Sequence, residues 1–148
     1  PSTHRPRWPQ MPGITLFCIR IYCPHAYIYT IYYVDYTTLH HIIFIEMNLD
    51  QSIWEKQFIS EKNAVIIDVR TPVEFELSRI PNSKNIDFYN SQNFMQEIEK
   101  LNKDNSYYVY CRTGVRSANS CQLMSELGFK KVYNLLGGIV EWKGELIN

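Results

Sequence analysis

Ala64-Val65-Ile66-Ile67-Asp68-Val69 is an unbroken apolar and mostly β-branched run with no polar residue until its fifth position. A strand with one solvated face alternates apolar and polar side chains. A run without alternation therefore predicts a strand buried on both faces, as in a parallel sheet covered on two sides. Parallel neighbours cannot be joined by tight hairpins, so crossovers long enough to hold helices must connect them. Tyr107-Tyr108-Val109-Tyr110 and Val132-Tyr133-Asn134-Leu135 read as further strands, and Asn85-Ile86-Asp87-Phe88 as a short extended segment after the Ile80-Pro81-Asn82 turn.

Helical patterns fill the intervals. Asp50 precedes Ile53, Trp54, Phe58 and Ile59 as a capped helix, and Thr71-Pro72 ends the first buried run and opens a helical turn through Glu74 and Phe75. Phe94, Ile98 and Leu101 recur at helical spacing within residues 91–101, with Asn102 to Ser106 as the following loop. After Gly114, the residues Ala118, Cys121 and Met124 form an apolar stripe with Leu123 and Leu127 beside it. Gly128 follows where a left-handed terminal residue is wanted, and Phe129 can supply the accompanying contact. Gly137-Gly138 is read as a tight turn opening a terminal helix with Ile139, Val140 and Trp142. The alternation predicts an α/β fold with a mostly parallel sheet and helices on both faces.

Composition divides the chain at Met47. All eight lysines lie beyond residue 46, whereas all four histidines, five of seven prolines and six of eleven tyrosines lie before Met47. Residues 1–46 are apolar but hold neither a period of two nor a helical stripe, and are read as an extension outside the folded domain of residues 47–148. A membrane span is disfavoured: the longest uncharged stretch there, from Ile21 to Val34, is 14 residues and contains Pro24 and His25, against roughly 20 needed to span. A secretory signal is disfavoured too, since no small-x-small site follows the apolar run. With 15 Lys+Arg against 15 Asp+Glu there is no electrostatic draw toward nucleic acid or an anionic membrane surface. Four cysteines, at 18, 23, 111 and 121, are too sparse for a disulfide scaffold and contain no CxxC pair for zinc, which points to a reducing, cytoplasmic setting.

The chemistry concentrates in Cys111-Arg112-Thr113-Gly114-Val115-Arg116-Ser117, between a strand end and a helix start. That edge of a parallel sheet is where ligands bind, and the helix terminus offers unpaired N–H groups and partial positive charge. Backbone donors and two guanidinium groups there favour thiolate over thiol and would cradle a small oxyanion. The alternative, Cys111 as a small core residue, leaves two Arg and a Gly around it without a packing purpose. Cys121, on the apolar stripe, is read as core. Cys18 and Cys23 receive no role, and Trp142 and the tyrosines at 107, 108 and 110 are read as packing.

Asp68-Val69-Arg70-Thr71-Pro72-Val73-Glu74-Phe75, then Ile80-Pro81 and Asn85-Ile86, then CRTGVRS, then Leu136-Gly137-Gly138-Ile139 with Trp142, together resemble a single-domain rhodanese over about residues 52–143. The chain departs from the family where Gly-His-Ile-Pro-Gly-Ala is usual and Ser78-Arg79-Ile80-Pro81-Asn82-Ser83 stands instead. The resemblance implies a five-stranded parallel sheet flanked by helices, and a sulfurtransferase whose nucleophile, Cys111, carries sulfur as a persulfide. It would take sulfur from a small sulfur-containing anion such as thiosulfate and pass it to a thiol, a protein sulfur acceptor or cyanide. Backbone N–H groups from Arg112, Thr113, Gly114, Val115, Arg116 and Ser117 would hold the persulfide, and the Arg112 and Arg116 side chains the anionic donor. No metal or organic cofactor is required.

Asp68, Arg70 and Glu74 are read as supporting groups that orient loops through charge-assisted hydrogen bonds, rather than as an acid-base set. Two rival functions follow from the same residues. A cysteine phosphatase or arsenate reductase also sets Cys and Arg around an anion loop, but its signature is C-x5-R, whereas Arg116 stands five positions after Cys111 in a shorter C-x4-R. A catalytically silent module that binds a partner or senses redox state would keep the fold without the chemistry. Nothing in the sequence sets the oligomeric state.

Overall fold

The computed structural model describes residues 47–148, and the expected extension, residues 1–46, lies outside the described residues. Five parallel strands form one sheet in the order β1-β5-β4-β2-β3: β1 is Asn48–Leu49, β2 Ala64–Asp68, β3 Ser83–Asn85, β4 Ser106–Tyr110 and β5 Lys131–Leu135. The helices are α1 Gln51–Ser60, α2 Pro72–Leu77, α3 Ser91–Glu99 and α4 Val115–Glu126, followed by a single 3₁₀ turn, Gly138–Val140.

The sheet is covered on both faces, and β4 shows why its sequence cannot alternate in polarity. Tyr107 and Val109 point into a core built with Phe94 and Ile98 of α3 and Cys121 and Met124 of α4. Tyr108 and Tyr110 point the other way, toward Trp54 of α1, Ile80 and Leu135, with Phe58 and Trp142 packed around them. Every residue of β4 is thus buried. Trp54 meets Tyr108 and Trp142 edge-on at centroid distances of 5.3 and 5.7 Å, in the edge-to-face arrangement aromatic quadrupoles favour.

Local signals set several boundaries. Asp50 caps α1 by accepting from the Ile53 N–H at 3.0 Å. Thr71 and Glu74 form a capping box at α2, with Pro72 in its first turn. At the end of α4, Gly128 takes φ +91°, its N–H reaches the Ser125 carbonyl, and the Phe129 N–H reaches that of Met124, the paired bonds of a Schellman ending.

Three sequence expectations are corrected and one strand is added. Strand β3 lies at Ser83–Asn85 rather than at residues 85–88; beyond it only the Ile86 and Phe88 N–H groups still bond to β2 and Val69. The helix expected after Gly137 is one 3₁₀ turn, whose Ile139 and Val140 N–H groups bond to the Cys111 and Arg112 carbonyls. Strand β1, two residues long, carried no pattern and exists through its pairing with β5. In α1 only Trp54 is buried, and Ile53 and Ile59 are exposed. The departure at Ser78-Arg79-Ile80-Pro81-Asn82-Ser83 has a simple accommodation. Asn82 adopts φ +62°, a left-handed conformation that Asn tolerates better than other non-glycine residues.

Candidate active site

The loop between β4 and α4 curls around its first side chain. Cys111 is buried, and its Sγ accepts from the Gly114 N–H at 3.1 Å and from the Ser117 hydroxyl at 3.3 Å. Burial is the largest single influence on this thiol and pushes its pKa up. The Ser117 hydroxyl, with the N–H groups of Ser117, Thr113 and Gly114, outweighs burial and leaves the pKa below the ordinary thiol value. The second free thiol, Cys121, is pushed well up by complete burial and stays protonated.

Two glycines make this geometry possible. Gly114 starts α4 at φ +92°, and a Cβ there would sit 3.1 Å from the Leu135 carbonyl oxygen. Gly138, at φ +59°, lies directly under the loop: a Cβ would come within 2.6 Å of the Cys111 and Arg112 carbonyl oxygens. That close approach lets the Ile139 and Val140 N–H groups bond to the Cys111 and Arg112 carbonyls at 2.9 and 3.1 Å. With those carbonyls tied down, the loop is braced from the chain segment that sequence reading took for a helix start.

The charged residues resolve into two pairs. Asp68 and Arg70 are buried and bond to each other, with Nη2–Oδ2 at 2.6 Å; Arg70 also donates to the Ser78 carbonyl and lies over the Tyr110 ring. They tie β2 to the turn before Ile80. Glu74 instead reaches across 42 residues to Arg116, in a bidentate pair at 2.7 and 2.8 Å, while also holding the Thr71 N–H. The Arg116 contacts, opposed by partial burial and aided by Thr71, hold the Glu74 carboxyl at about 2, below the usual range. The Tyr89 ring lies 5.2 Å from the Arg116 guanidinium.

Arg116 therefore has its donor fork committed to Glu74, although its charge still acts on Cys111. Arg112 is exposed, and its guanidinium bonds to none of the described residues. Thr113 and Val115 are exposed beside it. The role of the Ser117 side chain was not read from the sequence. Its signal was positional: Ser117, Cys121 and Met124 are the buried series at helical spacing, so Ser117 rather than Ala118 begins the inward stripe.

A groove of about 880 Å³ between the start of α1 and residues 135–143 includes Gly138 and Val140 in its lining, but not Cys111. Among the described residues no three His, Cys, Asp or Glu are placed to hold a metal ion, and no helix is long and apolar enough to cross a membrane.

Known proteins share this architecture. The chain is 30% identical over 94 residues to a sulfurtransferase of Allochromatium vinosum, covering 64% of this chain and 85% of that one. It is 30% identical over 95 residues to the tRNA uridine(34) hydroxylase of Pelagibacter ubique, covering 64% of this chain but only 31% of that larger protein. A rhodanese-like domain protein of Staphylococcus aureus superimposes with a TM-score of 0.57 at 28% identity, over 66% of this chain and 92% of that one. Residues 53–145 match the rhodanese-like domain, and with that match covering well over half its length the chain belongs to the rhodanese-like family.

Proposed function

We propose that this protein is a sulfurtransferase that carries sulfane sulfur as a persulfide on Cys111. The observation that carries the reading is the Cys111 sulfur, buried yet held by donors from Gly114 and Ser117 that favour its anion. In the loading step the Cys111 thiolate attacks the outer sulfur of a donor such as thiosulfate. The donor's S–S bond breaks, its electron pair leaves with sulfite, and the new persulfide keeps one negative charge. In the discharge step a thiolate or cyanide attacks the outer sulfur, and the electron pair of the breaking bond stays on Cys111 Sγ. The sulfur atom moves without an external oxidant or reductant.

The loop N–H groups stabilise the anionic sulfur, and the exposed Arg112 side chain is the cation available to an anionic donor. Arg116 supports the site through its charge and its hold on Glu74, not as a free anion clamp. The same pairing speaks against phosphoryl chemistry, in which the loop guanidinium must grip the oxyanion itself.

Intact mass of the protein before and after thiosulfate, with cyanide as chaser and Cys111→Ser as control, tests the reading. A gain of one sulfur on the wild type alone, removed by cyanide, is the expected result. No gain on a folded protein with a free thiol overturns it and turns attention to a binding module.

A further inference from the structure

Ser117 lies wholly buried in the first turn of α4, and its hydroxyl points at the Cys111 sulfur rather than along the helix. Ser120, one turn on and equally buried, shows the usual alternative: its hydroxyl donates back to the Arg116 carbonyl at 2.8 Å. The buried oxygen of Ser117 is thus placed on the reacting atom of the cycle. We propose that the Ser117 hydroxyl stabilises Cys111 as a leaving group, so that it governs discharge of the persulfide rather than its formation. This inference rests on the sulfurtransferase reading and adds to it a division of labour between the two half-reactions.

The argument follows the charge on Sγ. During loading Sγ is the nucleophile. A hydrogen bond raises the ionised fraction of the thiol but lowers the intrinsic reactivity of the thiolate, so the two effects partly cancel, and where the thiol is fully ionised only the modest loss of reactivity remains. In the persulfide the charge resides on the outer sulfur, and the inner sulfur is a weak, neutral acceptor. During discharge the acceptor thiolate bonds to the outer sulfur, the S–S bond breaks, and the electron pair returns to Sγ. The hydroxyl bond therefore strengthens as the transition state is reached, which is the condition for accelerating a step rather than only binding its reactants. A leaving thiol of lower pKa also departs faster. The Gly114 N–H shares this task at 3.1 Å, but Ser117 is the donor that a side-chain substitution can remove.

The test uses the full chain as wild type, Ser117→Ala and Ser117→Thr. The alanine removes one oxygen and keeps the Cβ, and the threonine restores the hydroxyl. Loading by thiosulfate is followed by quenched intact-mass measurement at a pH where Cys111 is ionised in every variant. Discharge of the isolated persulfide by cyanide is followed in the same way, and the ionisation of Cys111 by the ultraviolet absorbance of its thiolate. For Ser117→Ala the expected result is loading unchanged or faster by up to about threefold, discharge slower by about threefold or more, and a raised Cys111 ionisation midpoint. Threonine returns all three toward wild type.

Loading and discharge slowed by the same factor, or an unmoved ionisation midpoint, would overturn the inference and leave Ser117 as packing. Failure of the wild type itself to take up sulfur would instead overturn the sulfurtransferase reading, so the two failures are told apart by the wild-type arm alone.

Discussion

Replacing Gly138 by Ala probes how the Cys111 loop is held. The added Cβ would stand 2.5 Å from the Arg112 carbonyl oxygen and 2.6 Å from that of Cys111, both backbone atoms, so no side chain can swing aside to relieve it. Alanine at φ +59° costs about 1 to 2 kcal/mol for the left-handed conformation alone. Backing away from the carbonyls stretches the bonds from Ile139 N–H to Cys111 and from Val140 N–H to Arg112, each a net contribution of about 0.5 to 1.5 kcal/mol. Together these give a destabilisation of about 2 to 5 kcal/mol. In a domain of this size each kcal/mol lowers the unfolding midpoint by about 4 to 8 °C.

Gly128 supplies the control. It has φ +91°, but a Cβ there meets nothing nearer than the Lys103 Nζ at 4.0 Å, the end of a flexible side chain. Gly128→Ala therefore carries the conformational cost without the collision, about 1 to 2 kcal/mol. Urea unfolding of both variants, with titration of the Cys111 thiol, measures the difference. The expected outcome is a larger loss at Gly138 together with a raised Cys111 pKa, because a displaced loop loosens the donors around Sγ. Equal losses at the two positions with an unchanged thiol would refute the brace as the reason for the second glycine.

Two further expectations concern the framework around the loop. Glu74→Gln removes the charge that pairs with Arg116; at neutral pH this costs about 1 to 2 kcal/mol, discounted for the pair's partial exposure. The Glu74 carboxyl has a folded pKa of about 2, below its ordinary value of 4.5, so its contribution is fully present above the unfolded value and is lost as pH falls through that window. Wild-type and variant urea curves should therefore converge as pH drops from about 5 toward about 2, and a gap that stays constant contradicts the pairing. At Asn82, with φ +62°, glycine should be neutral or slightly stabilising, while valine should lower stability by about 1 to 2 kcal/mol. Thermal unfolding decides it, and a tolerated valine would mean that the turn relaxes out of the left-handed region.

Elements with a local cause were legible in the amino-acid order. An unalternating run such as residues 64–69 has to be buried on both faces, and the caps at Asp50, Thr71-Pro72-Glu74 and Gly128 act within one helical turn. The loop around Cys111 was equally legible, since a strand end, a glycine and a helix start lie within a few residues of one another.

Features that depend on residues far apart in the chain emerge with the folded sheet. The edge strand Asn48–Leu49 is a strand because β5 lies beside it, and two residues are too few to show a period. Glu74 and Arg116 look like independent site groups in the sequence, yet packing sets them face to face, so each occupies the hydrogen-bonding groups of the other. Gly137-Gly138 reads as the opening of a helix, and only the folded chain shows that this turn lies under the Cys111 loop and holds its carbonyls through the Ile139 and Val140 N–H groups. Ser117 is an unremarkable polar residue until the turn of α4 aims its hydroxyl at the sulfur. Local pattern specifies which groups want burial, capping or a turn; which group a side chain then meets is set by the register and crossover of parallel strands, and that is a property of the assembled sheet.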